Sequence, residues 1–318
     1  MAIARDEASV VELAVETALA ECGRVLLAVS GGLDSMTLLA AAGTLDSATR
    51  GRITVATFDH GTGPAAMRAA SLVAREAARR GFPCVLGRAQ AAGTREEEWR
   101  RSRWKFLDEI ATRLSAAVVT GHTLDDQVET VFMRILREAG PRGLAGLYAD
   151  SEIVRPFLGL QRSDIAAHAA RRKVKFITDP SNADRKHLRN RVRLDLLPSI
   201  ARRNPKFPGE LLALARAAAD WRRSLDEIVG TVGGAASADG SLRVERASLA
   251  GHNTDSLRVL WPALAARASV VMDRRGTQRA AEFTIKGRSG GAIQLSGGVE
   301  IVMRRDHMLL RRWRPAHA

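Results

Sequence analysis

Val25-Leu-Leu-Ala-Val-Ser-Gly-Gly-Leu-Asp-Ser-Met-Thr-Leu-Leu39 is the stretch that decides how this chain folds. Residues 25–29 are apolar without a break and long enough for one buried parallel strand. Ser30-Gly31-Gly32 ends that run with two residues that lack a side chain and tolerate unusual backbone angles. Residues 33–42 then read as a helix. Strand, glycine-rich turn and helix start together can cradle a phosphate: backbone N–H groups point outward and the helix dipole favours an anion. Ser30, Gly31, Gly32, Leu33, Asp34 and Ser35 are therefore candidate nucleotide-binding residues, and the two serines add hydroxyl donors. Asp34 carries the wrong charge to touch phosphate directly, so its expected role is to hold Mg²⁺ or orient the nucleotide. A tight turn with Ser30 as helix cap is the plain alternative.

The loop is not a Walker loop, because it lacks the Gly-Lys-Ser/Thr ending. Its form, Ser-Gly-Gly-Leu-Asp-Ser, resembles the pyrophosphate loop of the N-type ATP pyrophosphatases. Those enzymes cleave ATP between the α and β phosphates and adenylate an oxygen on their substrate.

At 318 residues the chain can bury one large core or two ordinary ones, and 46% hydrophobic residues mark it as globular. Lys and Arg total 49 against 35 Asp and Glu, a net charge of +14, and only six of the basic residues are Lys. Arg binds phosphate bidentately and stacks on bases, so a phosphate-rich macromolecule is the favoured partner. Genomic composition bias is the bland account of the same excess. Two cysteines, Cys22 and Cys84, exclude a disulfide scaffold and a four-Cys metal site. No apolar run approaches the roughly 18 residues of a membrane helix. The N-terminus has no signal-peptide layout, so the expected compartment is the cytoplasm and no membrane is expected.

Further along, residues 9–20 have helical apolar spacing, 53–58 read as a strand ending in Asp59-His60, and 67–80 as a helix. Residues 83–86 read as a strand, 94–114 as a helix, and 116–120 as a strand followed by Gly121-His122. This alternation predicts an α/β fold with a doubly wound parallel sheet. Ligands of such sheets sit beyond the carboxyl ends of the strands, which is where Ser30, Asp59, His60, Gly121 and His122 fall. Residues 152–157 are expected to add a strand, 163–173 a basic helix, 175–178 a short strand, and 185–197 a helix stopped at Pro198. Residues 210–229 read as a long amphipathic helix with Leu211, Leu214, Trp221, Leu225 and Ile228 on its apolar face. The remainder reads as a small α+β module.

The second strong signal is Gly121-His-Thr-Leu-Asp-Asp-Gln-Val-Glu-Thr-Val-Phe-Met-Arg-Ile-Leu136. Thr123 can cap a helix with Asp126, Val128, Val131, Phe132, Ile135 and Leu136 form its buried stripe, and Asp125 and Glu129 lie one turn apart. Any one acid could merely complement the helix dipole, but three beside His122 at a strand's carboxyl end point to a site.

His122-Thr-Leu-Asp125-Asp126-Gln127-Val-Glu129-Thr130 is similar to the His-x-x-Asp-Asp-Gln-x-Glu-Thr block of the tRNA(Ile)-lysidine synthetases, a branch of the PP-loop superfamily. Gly143-Leu-Ala-Gly-Leu147, Arg155-Pro156-Phe157-Leu158 with Arg162, and Asp179-Pro-Ser-Asn182 with Arg189-Asn190 and Arg193 resemble that family in order. Glu96, Arg100 and Arg103-Trp104 resemble its Glu-x-x-x-Arg-x-x-Arg-Tyr helix. The match spans roughly residues 24 to 198. The chain departs from the pattern in the loop after Gly61, at Glu138 and at Trp104, and it looks like a short form without the long tail module.

The resemblance implies an adenine nucleotide hydrolase-like PP-loop domain over residues 1–207, a linker helix over 208–232 and a tRNA-contacting C-terminal domain over 233–318. It implies ATP-dependent ligation of free lysine to C2 of the wobble cytidine of a CAU-anticodon isoleucine tRNA. The route is an adenylated cytidine, the product is lysidine, and codon specificity changes from AUG to AUA. ATP and Mg²⁺ are the implied cofactors, with Asp59, His60 and Gly121 joining the loop residues at the nucleotide. Asp34, His122, Asp125, Asp126, Glu129, Arg100 and Arg103 are the implied catalytic set: Mg²⁺ on Asp34 neutralises pyrophosphate, an arginine steadies the transferring phosphate, and Asp125, Asp126 or His122 takes a proton from the lysine. Arg155, Arg162, Arg189, Asn190, Arg193, Arg202 and Arg203 are candidates for the tRNA path, with a solvated basic face as the alternative. Oligomeric state stays open, a homodimer being one option. The rivals are a tRNA thiolase of the same superfamily, a glutamine-dependent synthetase, which would need an amidotransferase domain or partner, and a tRNA-binding module without catalysis. A thiolase needs cysteine or cluster chemistry, for which Cys22 and Cys84 are poorly placed in sequence.

Overall fold

The computed structural model describes residues 9–61, 63–89, 96–179, 183–237 and 239–313. Residues 1–7, Thr62, the expected helix start at Thr94, and Pro180, Ser181 and Asn182 lie outside the described residues, as does the side chain of Glu96. The chain divides into two compact units. One runs to Glu138 and resumes over Gly146–Ala215; the other takes Ala139–Ala145 and everything from Arg216.

The first unit begins with α1 (Val10–Ala20), β1 (Arg24–Ala28), α2 (Leu33–Ala42), α3 (Ser47–Arg50), β2 (Ile53–Asp59) and α4 (Pro64–Arg79). It continues through β3 (Cys84–Arg88), α5 (Glu96–Leu114), β4 (Ala116–Thr120) and α6 (Leu124–Leu136). The four strands are parallel in the order β3-β2-β1-β4. Alternation along β1 explains its wholly apolar sequence. Val25 and Leu27 face a core shared with Val11, Val15, Leu39 and Val73, whereas Leu26 faces Ala56, Leu107 and Ile110. Leu26 and Leu27 are both fully buried, each contributing about 2 kcal/mol. The chain moves outward from β1 to β3, then crosses back to lay β4 beside β1. That reversal creates a switch point between β1 and β4, where the loops after the two strands diverge.

Three expected elements of this unit differ. Residues 152–157 form no strand; Val154 alone pairs, in one parallel bridge to Val119. Pro156 has no N–H to extend the ladder. Residues 175–178 join no strand either, and the Ile177 N–H instead donates to the Gly31 carbonyl at 2.9 Å, bracing the loop. After α7 (Pro141–Leu144) and α8 (Arg162–Arg171), the helix expected to stop at Pro198 does not stop. Helix α9 (Leu188–Arg191) passes through a π turn at Val192–Leu196 into α10 (Leu197–Arg203), with Pro198 in its first turn. The Leu197 N–H bonds to the Val192 carbonyl, and the wider turn accommodates the donor that proline lacks.

Helix α11 (Phe207–Val232) carries the chain into the second unit. There β5 (Ala235–Ala236), β6 (Leu242–Glu245), α12 (Arg246–Leu249), α13 (Thr254–Arg267), α14 (Arg274–Lys286), β7 (Ala292–Leu295), β8 (Val299–Met303) and β9 (His307–Arg312) build the expected α+β module. Its sheet is antiparallel in the order β5-β6-β9-β8-β7. Trp261 is fully buried, and its indole N–H donates to Thr284 Oγ1 at 2.8 Å. The apolar face of α11 differs from expectation. Leu211, Ala215, Ala218, Ala219, Leu225 and Val229 are buried, while Leu214, Trp221 and Ile228 are exposed. Alanines let neighbouring elements approach closely, so the small residues mark the packed side. No described helix is long and apolar enough to cross a membrane.

Candidate active site

The loop between β1 and α2 is held in shape by its glycines and by Ser35. Gly31 has φ +88°, and a Cβ there would lie 2.8 Å from Ala69 Cβ on α4, so only glycine fits. Gly121, after β4, packs so tightly that a Cβ would stand 3.1 Å from the Asp34 carbonyl oxygen. Ser35 Oγ donates to the Gly32 carbonyl at 3.0 Å and accepts the Ser30 N–H at 3.1 Å. The helix cap is Gly32, not Ser30, and it makes no side-chain cap. The first-turn N–H groups of α2, beginning at Leu33, therefore lack an internal acceptor and remain available to an anion.

Asp34 sits in that first turn. Burial, its main perturbation, pushes its carboxyl up to about 6; Arg162 opposes the rise, and Asp126 and Asp125 add to it. Arg162 Nη2 stands 3.3 Å from Asp34 Oδ2, whereas the buried Oδ1 has no hydrogen-bond partner. The Arg162 main-chain N–H donates to Asp125 Oδ2 at 2.7 Å, and the Leu124 N–H donates to the Leu160 carbonyl at 2.9 Å. The starts of α6 and α8 are thus stapled together beside the loop.

Helix α6 opens with the expected capping box. Asp126 Oδ2 accepts the Thr123 N–H at 2.9 Å. Its other oxygen receives Arg189 Nη2 at 2.9 Å and Arg193 Nη2 at 3.0 Å. Glu129 accepts Arg189 Nε and Arg193 Nη2, each at 2.9 Å. Burial alone would raise the Asp126 carboxyl, yet Arg189 and the Thr123 N–H hold it below its ordinary value. With its lone pairs committed, Asp126 is a poor proton acceptor. His122 is pushed down to about 4, chiefly by burial, and is neutral at pH 7. Its Nδ1 lies 2.8 Å from Thr120 Oγ1.

Arg103 on α5 is pushed below its ordinary value by burial and by Arg100 and Arg189, and it acts in turn on His60 and His122. Arg100, Arg103 and Arg189 are thus close enough to act on one another, which concentrates positive charge that an anion can offset. Asp59 is buried and spent locally: it accepts the Gly61 N–H at 2.9 Å and pairs with Arg88 Nε at 3.6 Å. The His60 ring stands 5.1 Å from Phe58 and 6.4 Å from Trp99, and its buried Nδ1 has no partner.

The profile of the PP-loop domain matches residues 5–200. The tRNA(Ile)-lysidine synthase of Salinispora arenicola is 34% identical over 305 residues, covering 91% of this chain and 90% of that protein. The chain belongs to the tRNA(Ile)-lysidine synthase family. The family member of Pectobacterium atrosepticum is 34% identical over 224 residues, 68% of this chain but 50% of that protein. This lysidine synthase relative therefore spans nearly all of one family member and about half of the other. Among solved structures, the U34-tRNA thiolase NcsA from Methanococcus maripaludis with its [4Fe-4S] cluster is similar at a TM-score of 0.53 and 13% identity. That match covers 66% of this chain and 78% of the thiolase, and shows a shared fold alone.

In this lysidine synthase family member, the structure brings Ser30–Ser35, Gly121, His122, Asp125, Asp126 and Arg162 close together at the switch point. The residues expected on the tRNA path divide. Arg189 and Arg193 turn inward to Asp126 and Glu129, and Arg162 turns to Asp34. Arg155 is half-buried, its Nη1 2.8 Å from Ser151 Oγ. Asn190 Nδ2 donates to the Asp184 carbonyl at 2.8 Å. Arg202 and Arg203 are exposed. Two residues escaped sequence reasoning. Gln127 is fully buried and accepts the Leu147 N–H at 2.6 Å, anchoring the turn that Gly146 (φ +63°) makes possible. Thr120 holds His122; a hydroxyl ending a strand two residues before a site histidine was the available signal.

Proposed function

We propose that this protein uses ATP to join lysine to C2 of the wobble cytidine of a CAU-anticodon isoleucine tRNA, giving lysidine and changing the codon read from AUG to AUA. The observation that carries the reading is the uncapped start of α2 behind the Ser30–Ser35 loop, set beside His122 and the α6 acids at the switch point. The names of the family relatives supply the substrate.

The loop N–H groups and Ser30 bind the triphosphate. Asp34 suits Mg²⁺: its buried Oδ1 lacks a partner, and a hard cation takes carboxylate together with phosphate oxygens. Among the described residues no three His, Cys, Asp or Glu side chains form a metal cage, which fits an ion shared with the nucleotide. When bound, Mg²⁺ would offset charge on the departing pyrophosphate. The cytidine O2 attacks the α-phosphorus, the bond to the β-phosphate oxygen breaks, and pyrophosphate leaves. Arg100 and Arg103 face the transferring phosphate with positive charge. The lysine ε-amine then attacks C2, the C2–O bond breaks, and AMP leaves while the amine gives up a proton. Asp125 is the most accessible acceptor, because it is exposed at the α6 start, whereas Asp126 is tied up by arginines and His122 is drawn out of water. The base must leave its stack to reach these groups. Exposed Arg202 and Arg203 are suited to tRNA phosphates.

A thiolase is disfavoured by position. Cys84 starts β3 and Cys22 precedes β1, so both lie at the amino ends of strands, opposite the loop. The test is incubation with ATP, Mg²⁺, lysine and tRNA transcripts, followed by nucleoside mass analysis. Lysidine at the wobble position is expected; a sulfur-bearing nucleoside, or no lysine-dependent product, would reject the reading.

A further inference from the structure

We propose that Arg162 holds the place of the divalent cation at Asp34 until nucleotide arrives, then yields the carboxylate to the metal and takes up a phosphate oxygen. The inference rests on the reading of Asp34 as metal ligand given above.

Three observations lead there. Asp34 is inward-facing among acids, with Asp125 and Asp126 close enough to act on it, so its charge needs a local counter-ion. The cation paired with it is the Arg162 guanidinium, 3.3 Å from Oδ2, with Arg193 acting on it from farther away. Arg162 is fixed by its backbone and half-exposed at its paired tip: its N–H is tied to Asp125, whereas its side chain remains 36% exposed. An arginine so anchored can swing its guanidinium a few ångströms without moving α8.

The exchange balances charge at both ends. A metal ion and a guanidinium repel one another on one carboxylate. The triphosphate brings the metal and also offers the guanidinium a second anion, which it binds well. Neither the buried acid nor the displaced cation is left alone. Free metal lacks this compensation, since at Oδ1 it meets the Arg162 charge on the same carboxylate with no phosphate to draw the guanidinium away. Metal uptake is therefore coupled to nucleotide uptake, and a loop without ATP does not fill with Mg²⁺.

The test measures Mn²⁺ binding by electron paramagnetic resonance, with and without ATP and in the absence of tRNA and lysine. Wild-type protein is expected to take up Mn²⁺ at the loop with ATP present and weakly without it. Arg162→Met should bind Mn²⁺ without ATP about tenfold more tightly, because the competing charge is gone. Arg162→Lys, which retains a charge, should keep the wild-type coupling. Thermal unfolding confirms that each variant is folded. Asp34-dependent uptake with no gain in Arg162→Met would overturn the exchange alone. Uptake with ATP that is unchanged in Asp34→Asn would remove the metal assignment and the exchange with it.

Discussion

Arg193 Nη2 lies 2.9 Å from Glu129 Oε2, tying the π turn to α6 across 64 residues of chain. Arg189 adds a second guanidinium to the same carboxylate, whose side chain is 4% exposed. Removing one partner of such a cluster leaves buried charge uncompensated. Glu129→Gln is therefore expected to lower stability by roughly 3 kcal/mol, read as a lower denaturant midpoint at unchanged slope. A midpoint equal to wild type would show that the cluster is solvated.

Asp34 makes a prediction about function rather than stability. Asp34→Ala should lower ATP–pyrophosphate exchange by about a hundredfold or more while leaving tRNA affinity near wild type. Exchange at the wild-type rate would take Asp34 out of the mechanism.

Arg189 and Arg193 are paired with Asp126 and Glu129, whereas Arg202 and Arg203 are exposed. Charge reversal at exposed Arg202 and Arg203 should weaken tRNA binding and flatten its salt dependence by about one unit of slope per contact. Reversal at Arg193 should instead appear first as lost stability. An affinity and a salt slope unchanged in the Arg202 and Arg203 variants would place the RNA on another surface.

His122 supplies a pH signature. Its folded value of about 4 lies below the ordinary 6.5, so the unfolded chain binds more protons between the two. The stability linked to this group is complete above pH 6.5 and erodes as pH falls through 4. His122→Gln should flatten that part of the stability–pH profile, measured by urea unfolding from pH 7 to pH 4. An unchanged profile would mean that the imidazole is hydrated in the folded protein.

Much of the nucleotide end was legible in the sequence because it is local. A five-residue apolar run, two glycines and a helix start are neighbours in the chain, and their backbone chemistry needs no distant partner. The Thr123–Asp126 capping box was readable for the same reason: both groups belong to one turn. Pattern reasoning did less well on α11, where alanines mark the buried side and Trp221 faces out. Periodicity weighs large residues, whereas packing depends on which side a neighbour can approach.

By itself, then, the sequence determined the strand–loop–helix cradle, the parallel alternation and the residues at the strands' carboxyl ends. Tertiary structure decided where the arginines spend their charge. Arg162 reaches Asp34, and Arg189 and Arg193 reach Asp126 and Glu129, over separations that no local spacing encodes. The physical reason is burial: once the α6 acids are drawn out of water, the nearest guanidinium groups are held by them.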